Sequence, residues 1–252
     1  MDKMQSLADI LKDKQLINGA VKVGIIGAME QEIQILRDSL VNKQSHKLAG
    51  FDIYTGLLDG VDVVLLQSGI GKVNASVSTA LMLQQFAPDC IINTGSAGGC
   101  DKDLDVGDIV VSSELIHHDV DVSAFGYELG QMARMPVSYK PDELLASIAK
   151  QCIESVVGAK TVRGLIATGD TFVSSADKVN AIKQAFPSVK AVEMEAAAIA
   201  QTCFLFDTPF LVVRALSDIA GKSSNLSFAD FIETASKHSA EMVRAIIKKL
   251  TS

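Results

Sequence analysis

The sequence predicts an α/β protein with three layers (α/β/α), in which helices cover both faces of a central, mixed and twisted sheet. Short apolar runs typical of buried strands alternate along the chain with segments long enough to be helices. Hydrophobic residues make up 48% of the 252 residues and charged residues 21%, which is ordinary for a well-packed α/β domain. Acidic or small residues directly follow several predicted strands, and ligands of open α/β sheets bind at that edge.

The chain divides into an N-terminal extension, residues 1–20, and one predicted domain, residues 21–252. The extension is mixed in charge, and Leu7, Ile10 and Leu11 follow helical spacing, so we expect either a short surface helix or a frayed extension, without chemistry of its own. It lacks the continuous apolar core of a signal peptide. Charged residues interrupt the longest apolar runs elsewhere, as Arg214 does between residues 210 and 216, so we expect no membrane span.

Composition also narrows the classes of partner. The formal net charge of -7 disfavours a nucleic-acid surface. The four cysteines, Cys90, Cys100, Cys152 and Cys203, lie far apart without CxxC spacing, which is typical of free thiols in a reducing cytoplasm. We therefore expect a cytoplasmic protein that binds neither nucleic acid nor membranes.

The elements can be placed in order from their apolar runs and their boundary residues. A buried strand at 21–26 leads through Gly27 to a helix at 30–40. Two strands, 51–58 and 61–67, flank an Asp-Gly dipeptide that is typical of a hairpin turn. The remaining predicted elements are helix 73–86, strand 89–93, strand 109–112, helix 141–156, strand 162–168, helix 176–186, a strand ending near 193, a helix from 195, strand 210–215 and helix 228–250.

Familiar cofactor and metal signatures are missing from the sequence. Gly24 and Gly27 do not form a GxGxxG fingerprint after the first strand, and GIGK at 69–72 lacks the full phosphate-loop pattern. His117 and His118 would point opposite ways on a strand, and no HxH or HxxxH spacing is present. We expect no cofactor and no metal.

Carboxylates at strand ends are the main candidates for chemistry. Glu193 and Glu195 lie in an otherwise apolar run where a predicted strand gives way to a helix, Glu32 follows the first predicted strand, and Asp218 follows the last. Separate carboxylates at one edge are what cleavage of a glycosidic bond needs, since one acid protonates the leaving group and one base activates water. Acids in a first helical turn also complement the helix dipole, so a structural role stays open for the glutamates.

Two loops add candidates for ligand contacts. Ser96 lies among six small residues, 94–99, which would leave room for a ligand against bare backbone. Phe172 lies in the loop after strand 162–168 and could stack on a planar ligand. A tight turn around Ser96 and a core position for Phe172 are the structural alternatives.

Seven segments of this sequence match one family closely. The segments are GIIGAMEQE at 24–32, SGIGKVNA at 68–75, INTGSAGG at 92–99, HDVDVSAFGYELGQ at 118–131, GLIATGDTFV at 164–173, AVEMEAAAIA at 191–200 and VVRALSD at 212–218. From residue 21 to its C-terminus the chain resembles the 5′-methylthioadenosine/S-adenosylhomocysteine nucleosidases, a family of the purine nucleoside phosphorylase-like superfamily. The N-terminal extension falls outside the resemblance.

The resemblance implies a nucleoside phosphorylase-like fold and a hydrolase that binds a small adenine nucleoside. It would cleave the N-glycosidic bond of 5′-methylthioadenosine, S-adenosylhomocysteine and 5′-deoxyadenosine to adenine and a ribose product, in methionine salvage and methyl-cycle recycling. Glu32 would activate water, and Asp218, oriented by Ser217, would protonate N7 of the adenine. The other implied ligand residues are Met194 and Glu195 for the ribose, Phe172 and Val173 for adenine, Ser96 and Gly98 near the sugar and water, Met29 and Ile70 for the 5′ substituent, Arg214 as a supporting charge, and Glu193 beside them.

The resemblance also implies a homodimer, because Val122, Phe125 and Tyr127 match residues that complete the pocket of a second subunit. Three alternatives to the implied activity stay open. The chain could be a phosphate-dependent phosphorylase of the same fold, a futalosine-type nucleosidase, or a nucleoside-binding relative without catalysis.

Overall fold

The computed structural model describes residues 6–16, 20–152, 159–220 and 224–250. Within them lie nine strands, seven α-helices and a short 3₁₀ helix at Ser123–Phe125. The strands are β1 Lys22–Gly27, β2 Val41–Leu48, β3 Phe51–Leu58, β4 Val61–Gln67, β5 Cys90–Gly99, β6 Ile109–His117, β7 Thr161–Thr168, β8 Val189–Glu193 and β9 Phe210–Ile219. The helices are α1 Leu7–Leu16, α2 Glu30–Asp38, α3 Lys72–Phe86, α4 Glu143–Gln151, α5 Ala176–Ala185, α6 Ala196–Leu205 and α7 Ser224–Leu250.

The strands form one mixed sheet in the order β2-β3-β4-β1-β5-β8-β7-β6-β9. β1 runs parallel to both β4 and β5. β9 pairs with β6 in antiparallel and with β5 in parallel orientation. Because β9 also reaches β5, the five strands β5, β8, β7, β6 and β9 close into a circuit, and β5 joins this circuit to the open part of the sheet.

Alternate residues of the central strands pack on opposite faces of the sheet. In β4, Val63 and Leu65 contact one apolar cluster, which includes side chains of α2, α4 and α7, whereas Val64 and Leu66 contact another, which includes side chains of α3 and α6. This period of two, with both faces covered, is the pattern of a buried sheet between helical layers. The predicted three-layer α/β class is confirmed.

Two strands extend through stretches that the sequence indicated as loops. The small residues at 94–99 continue β5 to Gly99, and β9 continues through Asp218 to Ile219. β5 pairs with β9 as far as Gly99 and with β8 at Gly98 and Gly99. These ladder hydrogen bonds outweigh the weak strand propensity of the small residues, because β-propensity depends strongly on context.

Other boundaries also differ from prediction. β2 is not predicted at all, because this exposed edge strand shows no alternation of apolar and polar residues. β6 continues to His117, beyond the predicted residue 112. Helix α4 is shorter than predicted, although residues 153–156 of the predicted helix lie outside the described residues. Helix α7 begins at Ser224, earlier than predicted.

The N-terminal extension forms the predicted helix, α1, and it docks on the rest of the chain. The Leu7 side chain is fully buried, and its backbone N–H donates to Asp142 at 3.0 Å. Lys14 forms an ion pair with Asp89 at 2.8 Å. The four cysteines are free and buried. In the described part of the chain, no helix combines the length and apolar character that crossing a membrane requires. The division into an extension and a single domain stays a prediction.

Candidate active site

A cavity of about 480 Å³ opens at the edge of the sheet where β1, β5, β8 and β9 end. Most of the residues predicted for ligand contact line it together, although they come from distant parts of the sequence. The lining residues are Ala28, Met29, Glu32, Ile70, Ser96, Ala97, Gly98, Phe172, Val192, Glu193, Met194, Glu195, Ser217 and Asp218. Ala28, Ala97 and Val192 were not predicted, since small or aliphatic residues next to polar candidates give no signal of their own.

A smaller cavity adjoins the first one and contains the predicted residue Val173. It is lined by Gly98, Thr171, Phe172, Val173, Val192, Glu193, Met194 and Asp218. Phe172 lines both cavities and remains 44% exposed, so it is not a core residue. An aromatic ring that lines a cavity can stack on a planar ligand.

Glu32 is held in place by four donated hydrogen bonds. Its Oε2 accepts the backbone N–H groups of Ala28 at 2.8 Å and Met29 at 3.1 Å, and its Oε1 accepts the N–H and the hydroxyl of Ser96 at 2.8 and 2.9 Å. Only 4% of the residue is exposed. Four donors suit an acceptor-only carboxylate. Glu32 thus satisfies the N-terminus of α2, as the structural alternative proposed, and also faces the cavity, where a carboxylate can take a proton from water.

Asp218 lies next to an irregularity in β9. Gly98 pairs with Asp218 although Ala97 pairs with Leu216, so Ser217 is the extra residue of a β-bulge. Bulges re-aim side chains and are frequent beside active sites. The Ser217 hydroxyl donates to Asp218 Oδ1 at 3.0 Å, and both residues are almost fully buried. A Cβ added at Gly98 would lie 3.2 Å from Asp218 Oδ2, so a larger side chain there would crowd the carboxyl group.

Glu195 lies at the start of α6 and reaches across the cavity edge to α3. Its Oε1 accepts the backbone N–H of Gly71 at 2.9 Å. Burial raises the pKa of Glu195 to about 8, and the charge of Glu193 adds to the rise, whereas the Gly71 N–H and Arg214 act against it. A glutamate in this setting can change its charge within the neutral pH range.

Glu193 lines the cavity, but its carboxylate already has several donors. Oε2 accepts the N–H groups of Glu195 at 3.0 Å and Ala196 at 2.8 Å, together with Arg214 Nη2 at 2.8 Å, and Oε1 accepts the Thr168 hydroxyl. These contacts tie the end of β8 to the N-terminus of α6. Glu193 therefore fixes the backbone from which Glu195 projects, which is the structural role that the sequence left open.

Arg214 lies behind the cavity rather than along it. It is 2% exposed, and its Nη2 also donates to Asn93 Oδ1 at 2.6 Å. The Asn93 amide in turn donates to the Ile26 carbonyl at 2.9 Å. Sequence reasoning missed both Asn93 and Thr168, because a single polar residue in a buried strand does not reveal a partner more than twenty residues away.

The residues predicted to complete a partner's pocket lie apart from this cavity. Val122, Phe125 and Tyr127 belong to the irregular segment after β6, and Phe125 is 81% exposed. His117 and His118 precede this segment, and burial lowers the pKa of each. Among the described residues, no three His, Cys, Asp or Glu side chains are grouped to hold a metal ion.

The sequence of this chain matches one large class of proteins. The family model described as the phosphorylase superfamily matches residues 22–248. The chain therefore belongs to the phosphorylase superfamily.

Individual relatives narrow the class. The chain is 54% identical over 230 residues to the 5′-methylthioadenosine/S-adenosylhomocysteine nucleosidase of Geobacillus sp. (strain WCH70), covering 91% of this chain and 99% of that protein. It is 49% identical to the nucleosidase of Colwellia psychrerythraea 34H, solved in complex with adenine, with a TM-score of 0.90 over 92% of this chain and 96% of the other. Within the superfamily, the resemblance to the nucleosidase family is confirmed.

A third comparison concerns an alternative activity. The futalosine hydrolase of Helicobacter pylori strain 26695 is 33% identical, with a TM-score of 0.85 over 91% of this chain and 98% of the other. The fold is thus shared by enzymes with different nucleoside substrates, and the substrate must be argued from the site.

Proposed function

We propose that this protein is a hydrolase that cleaves the N-glycosidic bond of 5′-methylthioadenosine and S-adenosylhomocysteine, and also of 5′-deoxyadenosine. The products are adenine and the corresponding ribose compound, which is the chemistry of methionine salvage and methyl-cycle recycling. The relatives at about half identity are named for the first two substrates. The observation on which the proposal rests is that Glu32 and Asp218 line a single cavity on either side of the end of β5.

The two carboxyl groups flank the end of one strand. Glu32 contacts Ser96, and Asp218 lies beside Gly98, two residues further along β5. Inverting glycosidases likewise place an acid and a base on opposite sides of the bond that they cleave.

The two carboxyl groups have opposite roles in the proposed mechanism. Asp218 delivers a proton to N7 of the adenine, which turns a poor anionic leaving group into a neutral base. The bonding electrons leave with the adenine, and the sugar develops oxocarbenium character that nearby carboxylates stabilise. Glu32 accepts a proton from the attacking water, whose oxygen forms the new bond to the anomeric carbon.

The remaining lining residues fit the parts of the substrate. Glu195 accepts hydrogen bonds from the ribose hydroxyls beside Met194, and Phe172 with the backbone near Val173 holds the adenine. Ser96 and Gly98 lie near the sugar and the water. Met29 and Ile70 provide an apolar wall for the 5′ substituent, which suits a thioether.

Water rather than phosphate is the proposed nucleophile. The fixed carboxylate of Glu32 occupies the cavity wall, and its charge would repel a phosphate anion. The test is adenine release from 5′-methylthioadenosine and S-adenosylhomocysteine in phosphate-free buffer, repeated with added phosphate. Equal rates in both buffers support a hydrolase, whereas release that depends on phosphate would show a phosphorylase. Absence of release from either compound under both conditions would contradict the proposal.

Futalosine-type nucleosides are the second candidate substrates, because the futalosine hydrolase of Helicobacter pylori shares the fold over nearly its full length. A parallel assay with futalosine, read by release of the base that this nucleoside carries, separates the two. A kcat/KM for futalosine above that for both thio-nucleosides would reassign the main substrate.

We also propose that the protein is a cytoplasmic homodimer. Apolar side chains are exposed on α3 and on the segment after β6: Val73 is 73% and Phe125 81% exposed. Large apolar side chains exposed to water favour an interaction surface there, and the family resemblance implies that Val122, Phe125 and Tyr127 reach the partner's cavity. Multi-angle light scattering tests the assembly. A mass near twice 26.8 kDa supports it, and a monomer would contradict it.

A further inference from the structure

The N-terminus of α3 is held by two acidic side chains from distant parts of the chain. The Gly71 N–H donates to Glu195 Oε1 at 2.9 Å, and the Lys72 N–H donates to Asp170 Oδ1 at 2.8 Å. A helix begins with N–H groups that lack partners within the helix and with partial positive charge. Gly71 is the N-cap residue and has no side chain to satisfy them, so Glu195 and Asp170 share this task.

Asp170 is itself fixed by a small network. Its backbone N–H donates to Asp119 Oδ2 at 2.9 Å, and Asp119 Oδ1 pairs with Lys72 Nζ at 2.6 Å. Burial alone would raise the pKa of Asp119, but the Lys72 and Asp170 contacts outweigh it and lower the pKa. The network joins α3, the loop after β7 and the segment after β6. None of its three members lines the cavity.

We propose that Asp170 is a positioning residue for Glu195, because it docks the start of α3 so that the Gly71 N–H reaches the carboxylate that binds ribose. The inference rests on the proposed role of Glu195 in the nucleosidase reaction. Gly71 has a φ of 92°, and an added Cβ would lie 3.1 Å from Asp170 Oδ1. The backbone at Gly71 is thus confined between the two acidic side chains, and release of one alters its distance to the other.

Asp170 acts on Glu195 through the Gly71 N–H. That hydrogen bond favours the charged form of Glu195, so its loss would raise the pKa of the Glu195 carboxyl group. The other charged or titratable groups around Glu195 stay unchanged in an Asp170 variant: Glu193 and Arg214 from the sheet, Glu32 from α2, Asp218 from β9, and Lys72 with Asp119 beside α3.

The experiment compares Asp170→Ala with Asp170→Asn, whose amide oxygen can still accept the Lys72 N–H. KM and kcat for adenine release from 5′-methylthioadenosine are measured from pH 5 to 10, and thermal unfolding is recorded for each variant. Asp177→Ala is the matched control, because Asp177 is an exposed acid in the first turn of α5. We expect Asp170→Ala to raise KM about tenfold, as loss of one charge-assisted hydrogen bond does, with kcat within about threefold. In the pH profile of Asp170→Ala, the fall of kcat/KM on the acidic side should begin at a higher pH than in wild type. KM and kcat of Asp170→Asn and Asp177→Ala should stay within about twofold of the wild-type values.

Three results would overturn the inference. They are an unchanged KM in Asp170→Ala, a fall of kcat/KM on the acidic side that begins at a lower pH than in wild type, and an Asp170→Asn variant as impaired as Asp170→Ala. A wild-type protein that releases no adenine would instead contradict the proposed function. If Asp170→Ala does not fold, Lys72→Met keeps the backbone N–H and breaks only the contact with Asp119. An increase in its KM then supports the inference, and wild-type values refute it.

Discussion

Replacement of Arg214 by methionine should strongly destabilise the protein, because it leaves a buried carboxylate without its counter-charge. Arg214 and Glu193 are joined at 2.8 Å, and their side chains are 2% and 3% exposed. Removal of one partner from a buried pair costs about 3–5 kcal/mol. In a protein of this size, each kcal/mol lowers Tm by about 2–4 °C, so Tm should fall by roughly 10 °C.

A double variant measures how much the interaction between Arg214 and Glu193 itself contributes to stability. In Arg214→Met with Glu193→Gln no charge is left unpaired, and the amide can still accept the N–H groups of Glu195 and Ala196. We expect the double variant to be more stable than the sum of the single effects predicts, by about 2 kcal/mol or more. The free energy of unfolding is measured in urea by circular dichroism for all four proteins of the cycle.

A surface pair provides the control. Lys47 and Asp52 lie 3.3 Å apart, with side chains 68% and 45% exposed. Exposed pairs contribute about 0–1 kcal/mol, so Lys47→Met should leave stability nearly unchanged. An Arg214→Met variant within about 1 kcal/mol of wild type, or strictly additive effects in the cycle, would refute the argument that Arg214 neutralises Glu193.

Three further predictions concern the cavity. Asp218→Asn should lower kcat for adenine release about 10²- to 10⁴-fold with Tm within a few degrees of wild type, and near-normal turnover would remove Asp218 from the role of acid. Glu32→Gln should lower kcat over a similar range, about 10²- to 10⁴-fold, because an amide cannot accept the proton from water, and rapid release by this variant in phosphate-free buffer would contradict the assignment. The pKa of Glu195 is raised from 4.5 to about 8, so the folded state binds more protons than the unfolded state between these two pH values. The free energy of unfolding should therefore decline as pH rises across that window. Over the same window KM should fall, because the carboxylate ionises. Glu195→Gln should remove both trends, and identical pH profiles for this variant and wild type would rule out Glu195 as their source.

The parts of the fold that the sequence predicts well depend on local signals. The hairpin of β3 and β4 lies at the predicted residues, because apolar runs flank an Asp-Gly turn whose residues have positive φ, 50° at Asp59 and 88° at Gly60. β5 and β9 were predicted too short, since their ends depend on pairing with each other across more than a hundred residues of sequence. No local pattern contains that information.

In the candidate site, too, the sequence predicts the residues that have a local signal and misses those that depend on distant contacts. Glu32, Glu195 and Asp218 were singled out because strand ends of α/β sheets meet at one edge, and the structure brings them to one cavity. In the sequence, Gly71 was noted only within GIGK at 69–72, an incomplete phosphate-loop pattern. Its hydrogen bond to Glu195 spans 124 residues, and a backbone N–H group has no sequence signature. Supporting contacts of this kind require coordinates.

The number of donors distinguishes the two glutamates at the start of α6. Four described groups donate to Glu193. Among the described residues, the donor to Glu195 is the Gly71 N–H, so most of the acceptor capacity of that carboxylate remains for a ligand. At the start of α6, the saturated carboxylate of Glu193 therefore fixes the backbone, whereas the carboxylate of Glu195 keeps the acceptor capacity that the proposed contact with the ribose hydroxyls requires.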